Sequence, residues 1–180
     1  MMRRPATIGL ILALAATGAA FGQRDTPCRE RPATGWSAEI ATAEEPGQRL
    51  VVGGRVLLGP DREPAAGARV LAYHTDATGY YSPGGMDEGR ARLCGVVESD
   101  AEGRYRFETI RPAHYATGGP AAHVHFEVTV PGGRSRRLTL NFEGDPLLRG
   151  RPAGERWETV RPVRESEDGV LRVERDLWVP

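Results

Sequence analysis

The sequence predicts an all-β protein, a single β-sandwich of about eight short strands with little helix. Three observations carry this expectation. Short runs rich in Val, Leu, Tyr and Phe alternate in polarity with period two. Gly- and Pro-rich turn signals separate them at regular intervals, as in GPDREPAAG and PGG. No stretch beyond the first 22 residues shows a convincing helical period, and no internal repeat is evident.

Taken in order, the chain opens MMRRPATIGLILALAATGAAFGQ. Arg3 and Arg4 precede an apolar run from Ile8 to Ala16, and Ala20-Phe21-Gly22 forms a small-x-small site. This pattern predicts a signal peptide over residues 1–22, and hence a secreted or periplasmic protein. The apolar run is too short to cross a bilayer, so the mature chain is expected to have no membrane span. Removing the segment leaves about 158 residues, enough for one domain that buries roughly 70% of its extended-chain surface. Lys plus Arg and Asp plus Glu number 24 each, so the charge balance gives no reason to expect nucleic acid as a partner. Cys28 and Cys94 are the two cysteines of the chain. In an oxidising compartment, a structural disulfide is the default for such a pair.

Residues 23–49 read as an extended lead-in tied down by Cys28, and 50–180 as the sandwich domain. Leu50–Leu58 is the first expected strand, with Gly53-Gly54 marking a bulge or a close backbone approach. Ala68–His74 follows. A loop from Thr75 to Leu93 then carries Tyr80 and Tyr81 among Gly and Pro. Gly95–Ser99 and Arg104–Ile110, joined by Asp100-Ala101-Glu102-Gly103, read as a hairpin. The run Ala121–Val130 alternates strictly, and Pro131-Gly132-Gly133 reverses the chain into Arg137–Phe142. Residues 143–156 are expected to be loop. Glu158–Arg164 and Val170–Val179 bracket Glu167-Asp168-Gly169, a second hairpin signal.

The chemistry concentrates between Thr109 and Glu127, TIRPAHYATGGPAAHVHFE. Period-two alternation puts His123 and His125 on one face of a strand while Ala122, Val124, Phe126, Val128 and Val130 take the core face. Tyr115 precedes the histidine pair by eight residues. The candidate metal ligands are therefore Tyr81 (or Tyr80), Tyr115, His123 and His125. Two phenols with two imidazoles are an unusual set for structural zinc, whereas phenolate is a hard anionic donor suited to a trivalent ion such as ferric iron. His74 and His114 read as neighbouring or surface residues, Tyr73 as core or pocket wall, and Arg134, Arg136 and Arg137 as a solvated hairpin flank.

The segments HTDATGYYSP, DAEGRYRFETIRPAHY, AHVHFEV and NFEGDP together resemble the intradiol ring-cleavage dioxygenases, the family of the catechol 1,2- and protocatechuate 3,4-dioxygenases. The resemblance spans about Leu50 to Pro146. It selects Tyr81, the last residue of the D-x-x-G-x-Y pattern formed by Asp76, Gly79 and Tyr81, as the first tyrosine ligand. Tyr115 corresponds to the second, and His123 and His125 to the paired histidines. It implies a non-haem Fe(III) cofactor, with Tyr81 and Tyr115 as catalytic ligands. A small-molecule catechol-type substrate and O2 would be the partners, with insertion between the two hydroxylated carbons giving a muconate-type dicarboxylate. The resemblance leaves a homo-oligomer open. One departure is evident: Pro120 stands where the family usually has an arginine, and Arg111 is a nearby arginine that could take that part. The strands and turns alone would equally suit a transthyretin-like or carboxypeptidase-regulatory-like binding module, which gives no reason for Tyr81, Tyr115 and the histidine pair. A degenerate dioxygenase fold that binds iron or phenolics without cleaving them is a third reading.

Overall fold

The structure, a computed structural model, describes residues 27–33, 35–148 and 158–180, with only the backbone described for 158–160. The expected signal peptide and part of the 143–156 loop lie outside the described residues.

Twelve strands are described. They are β1 (Ser37–Glu39), β2 (Arg49–Leu58), β3 (Glu63–Pro64), β4 (Arg69–His74), β5 (Leu93–Glu98), β6 (Arg104–Ile110), β7 (His123–Thr129), β8 (Ser135–Phe142), β9 (Glu158–Arg161), β10 (Arg164–Glu165), β11 (Leu171–Glu174) and β12 (Leu177–Val179). The helical content of the described residues is three single turns of 3₁₀ helix, at Cys28–Glu30, Glu88–Arg90 and Pro146–Leu148. One sheet runs β1-β6-β2-β11-β10, with β3 and β12 also pairing β2, and the other runs β5-β4-β7-β8-β9. The excess over eight strands comes from two- and three-residue edge segments whose side chains carry too little pattern to be read from sequence.

Alternation decides which side chains fill the space between the sheets. Val52, Val56, Tyr105 and Phe107 from one sheet meet Val70, Ala72, Val124, Phe126, Val128, Leu138 and Leu140 from the other in a single buried cluster. Removing such side chains from water supplies most of the stabilisation. The β4-β5-β7 sheet is covered on its outer face as well. There Leu71, Tyr73, Tyr81, Cys94 and Val96 form a second, smaller cluster with Cys28. The Cys28–Cys94 disulfide forms, with Cα atoms 6.2 Å apart, and pins the lead-in against β5.

Three expectations need correction. The runs on either side of Asp100 do not form a hairpin, because β5 pairs β4 whereas β6 pairs β2 and β1. Asp100 accepts hydrogen bonds from the backbone N–H groups of Glu102 and Arg104, turning the chain from one sheet to the other. β5 is a nearly continuous apolar run and β6 alternates, and both patterns fit a hairpin or a crossover, so pattern alone does not separate the two. Second, Val170–Val179 is two strands, β11 and β12, each parallel to β2. The break falls at Arg175, opposite the expected close approach at Gly54, where an added Cβ would lie 2.3 Å from the Arg175 carbonyl oxygen. Third, the lead-in contains a strand, since β1 lies parallel to β6.

Candidate metal centre

β7 aims its polar face at the outer cluster rather than the main core. His123 and His125 lie on that face, and antiparallel β4 brings Tyr73 into register with His125. The loop between β4 and β5 folds over them and delivers Tyr81. That loop is built by Asp76, whose carboxylate accepts hydrogen bonds from the N–H groups of Thr78 and Tyr80 and the Thr78 hydroxyl. Arg92 clamps it from outside, bridging Asp76 and Glu45. Gly79 lets the loop lie against the Tyr115 segment. Its φ is +89°, and an added Cβ would stand 2.3 Å from the His114 carbonyl oxygen and 2.6 Å from the Ala116 nitrogen. The Ala116 N–H bonds to the Gly79 carbonyl, closing the two segments together.

The four side chains singled out in the sequence meet. The hydroxyl oxygens of Tyr81 and Tyr115 are 2.6 Å apart. The Nε2 atoms of His123 and His125 are 2.9 Å apart, and the Tyr115 hydroxyl lies 3.5 Å from His125 Nε2. Tyr81 and His123 are buried, while Tyr115 and His125 are partly exposed, so the cluster opens on their side. Among the described residues no three His, Cys, Asp or Glu side chains gather so as to hold an ion by themselves. An ion here therefore depends on the phenols.

Local contacts set the protonation states. His123 Nδ1 is 2.6 Å from the Ala121 carbonyl oxygen, which can only accept, so the proton sits on Nδ1 and the Nε2 lone pair faces the cluster. His125 stacks on the Tyr73 ring at 4.8 Å, and burial together with the neighbouring His123 pushes its pKa down to about 3, keeping it neutral. Burial, and for Tyr81 also the hydrogen bond to Tyr115, raises both phenols above their ordinary value. They therefore stay protonated without a cation nearby, and a bound metal ion would reverse that by stabilising the phenolates.

Other residues settle elsewhere. Tyr80 contributes its backbone N–H to the Asp76 turn, and His114 is exposed. His74 is wholly buried between the Thr75 carbonyl and the Thr109 hydroxyl, away from the ligand role. Pro120 is exposed, and the Arg111 guanidinium packs 5.3 Å over Phe142. Arg136 is no solvated flank: it donates to the Trp178 carbonyl and stacks on the Trp178 ring. Sequence reasoning missed Glu88, whose carboxylate accepts hydrogen bonds from Tyr73 and Tyr115, and Asn141. Asn141 pairs with His123 across the strands, which puts it on the histidine face, and its buried amide nitrogen has no hydrogen-bond partner among the described residues. Period-two alternation on β8 could have flagged Asn141. Nothing local could have flagged Glu88.

Comparison with known proteins bears on what such a cluster belongs to. A family model described as dioxygenase matches residues 17–169. The chain is 32% identical over 164 residues to catechol 1,2-dioxygenase 2 of Acinetobacter lwoffii, covering 82% of this chain and 58% of that protein. The chain belongs to the intradiol ring-cleavage dioxygenase family. A second member, the protocatechuate 3,4-dioxygenase beta chain of Burkholderia cepacia, is 37% identical over 121 residues, which is 61% of this chain and 51% of that one. The family fold recurs in the dioxygenase domain of a dioxygenase–carbohydrate-binding protein fusion from the cellulolytic bacterium Streptomyces sp. SirexAA-E. That structure superposes with a TM-score of 0.64 at 22% identity, over 86% of this chain and 96% of that domain. This intradiol dioxygenase homologue spans about half the length of the curated relatives it matches.

Proposed function

We propose that the protein is a non-haem Fe(III) intradiol dioxygenase, with Tyr81, Tyr115, His123 and His125 as the metal ligands. The observation that carries this is the meeting of two phenol oxygens and two imidazole nitrogens within 2.6 to 3.5 Å of their neighbours. The donor set fits such an ion. Two neutral imidazoles and two ionisable phenols supply four donors, and donors bound about 2 Å from one ion at roughly right angles stand about 3 Å apart. When bound, the metal would act as a Lewis acid that activates a catechol-type substrate toward O2.

The chain's own residues divide the remaining work. His123 is fixed as a donor by its bond to Ala121, and His125 by its stack on Tyr73. Tyr81 is enclosed, so it is the anchored phenol. Tyr115 stands at the open side on a loop, where its oxygen can take a proton from an incoming catechol hydroxyl. Cleavage between the two hydroxylated carbons would give a muconate-type dicarboxylate. The Cys28–Cys94 disulfide supports an exported protein, secreted or periplasmic.

Oxygen uptake by iron-loaded protein across catechol, hydroxyquinol and protocatechuate tests this reading. We expect uptake with at least one of them, with a ring-opened dicarboxylate as product. A coloured, iron-loaded protein that consumes no oxygen with any would favour a binding-only role.

A further inference from the structure

The run from Leu171 to Val179 alternates, and its buried positions are Leu171, Val173, Arg175, Leu177 and Val179. The four apolar residues join the main core, and the remaining position is an arginine that keeps only 7% exposure. The Arg175 backbone holds the join between β11 and β12, its N–H donating to the Gly53 carbonyl and its carbonyl accepting from the Tyr105 hydroxyl. Neither bond uses the side chain. The buried Nε has no hydrogen-bond partner among the described residues. The charge nearby is mostly of the same sign. Arg161 at the end of β9 and Arg136 on β8 both repel the Arg175 guanidinium, which places it on the side of the sandwich where β12 meets β8. The Asp176 carboxylate attracts it, but Asp176 Oδ1 accepts from the Arg55 backbone N–H.

We propose that Arg175, with Arg161 beside it, forms a binding site for a small carboxylate anion, separate from the metal centre. Three arguments support it. A guanidinium stays charged at any ordinary pH, so its burial must be offset by a counter-charge rather than by loss of a proton. Its Nε–H and the neighbouring Nη–H point in parallel from one edge of a planar group, and that edge matches the two oxygens of a carboxylate. The surrounding arginines, finally, supply a positive potential that draws an anion in. Arg136 is already committed to the Trp178 carbonyl and ring, whereas Arg161 is exposed and reaches the site from the rim. The histidines occupy the outer face of their sheet, and Arg175 takes the inward parity of Val173 and Leu177, so the two sites use opposite faces.

The test follows thermal unfolding of full-length protein at pH 7.5 and constant ionic strength while sodium acetate replaces sodium chloride. Chloride is a single sphere and cannot take both N–H groups side by side. Wild type should therefore show a saturable rise of about 3 °C in its midpoint with acetate. R175M keeps the apolar stem without the charge and should lose that rise, while reporting any general effect of the salt. R161A alters an exposed side chain, so the fold is kept, and it should raise the half-saturating acetate concentration at least about threefold. No saturable rise in wild type, or the same rise in R175M, would overturn the proposal and leave water as the partner of Nε. Should R175M fail to fold, an unchanged half-saturation in R161A would overturn it equally.

Discussion

At the scale of single residues, tautomer and burial decide what each side chain can do. His123 is committed by the Ala121 carbonyl to presenting Nε2, and His125 is held neutral by burial. Replacing either by alanine should bleach the iron-loaded protein. Retention of the full absorption band in both variants would refute the ligand assignment. His74 is a different case. Its Nδ1 donates to the Thr75 carbonyl and its Nε2 accepts from the Thr109 hydroxyl, which is the hydrogen-bonding pattern of a neutral ring. Burial lowers its pKa to about 4 against an ordinary value of 6.5. The folded pKa being depressed, the unfolded chain binds more protons between these values, so folding stability is full above about pH 6.5 and falls as the pH drops towards 4. The loss attributable to His74 is on the order of 3 kcal/mol. Urea denaturation at pH 7.5 and pH 4.5 should show this drop in wild type and a smaller one in H74Q.

At the scale of elements, the site depends on two loops lying against each other. The sequence pattern D-x-x-G-x-Y names its residues but not its purpose. Asp76 shapes the turn, and Gly79 removes the Cβ that would strike the His114 carbonyl. Gly79→Ala would add a side chain at φ +89° and force the Tyr115 segment away. We expect a stability loss of roughly 1–3 kcal/mol together with weakened iron binding. A titration finding wild-type iron affinity in a folded G79A would refute this role. The elements also show where period-two reading stops. Alternation on β7 assigns His123 and His125 to one face and Val124, Phe126 and Val128 to the core, as observed. The patterns of β5 and β6 do not say whether they pair, because a turn such as Asp100-Ala101-Glu102-Gly103 can close a hairpin or carry the chain across the sandwich. Here it crosses.

At the scale of the whole molecule, the site belongs not to the main core between the sheets but to a smaller cluster on the outer face of one of them. The disulfide ties the lead-in to the outer face of the β4-β5-β7 sheet, within the cluster that contains Tyr73 and Tyr81. With a sequence separation of 66 between its cysteines, it should stabilise the fold by about 4 kcal/mol through the unfolded chain. Denaturant midpoints of wild type and a C28S/C94S double variant would measure that contribution, and equal midpoints would show that the bridge is dispensable. The sequence by itself determined the strand class and the turns, because alternation and turn chemistry are local, and it offered Tyr115, His123, His125 and one of Tyr80 and Tyr81 as the converging side chains, the choice of Tyr81 coming from the family resemblance. Only the tertiary structure decided which strands pair across Asp100, why Gly79 must be glycine, and that Glu88 and Asn141 stand beside the histidines. Those facts rest on contacts between segments distant in the chain, and hydrophobic periodicity records which face is buried but not what lies against it.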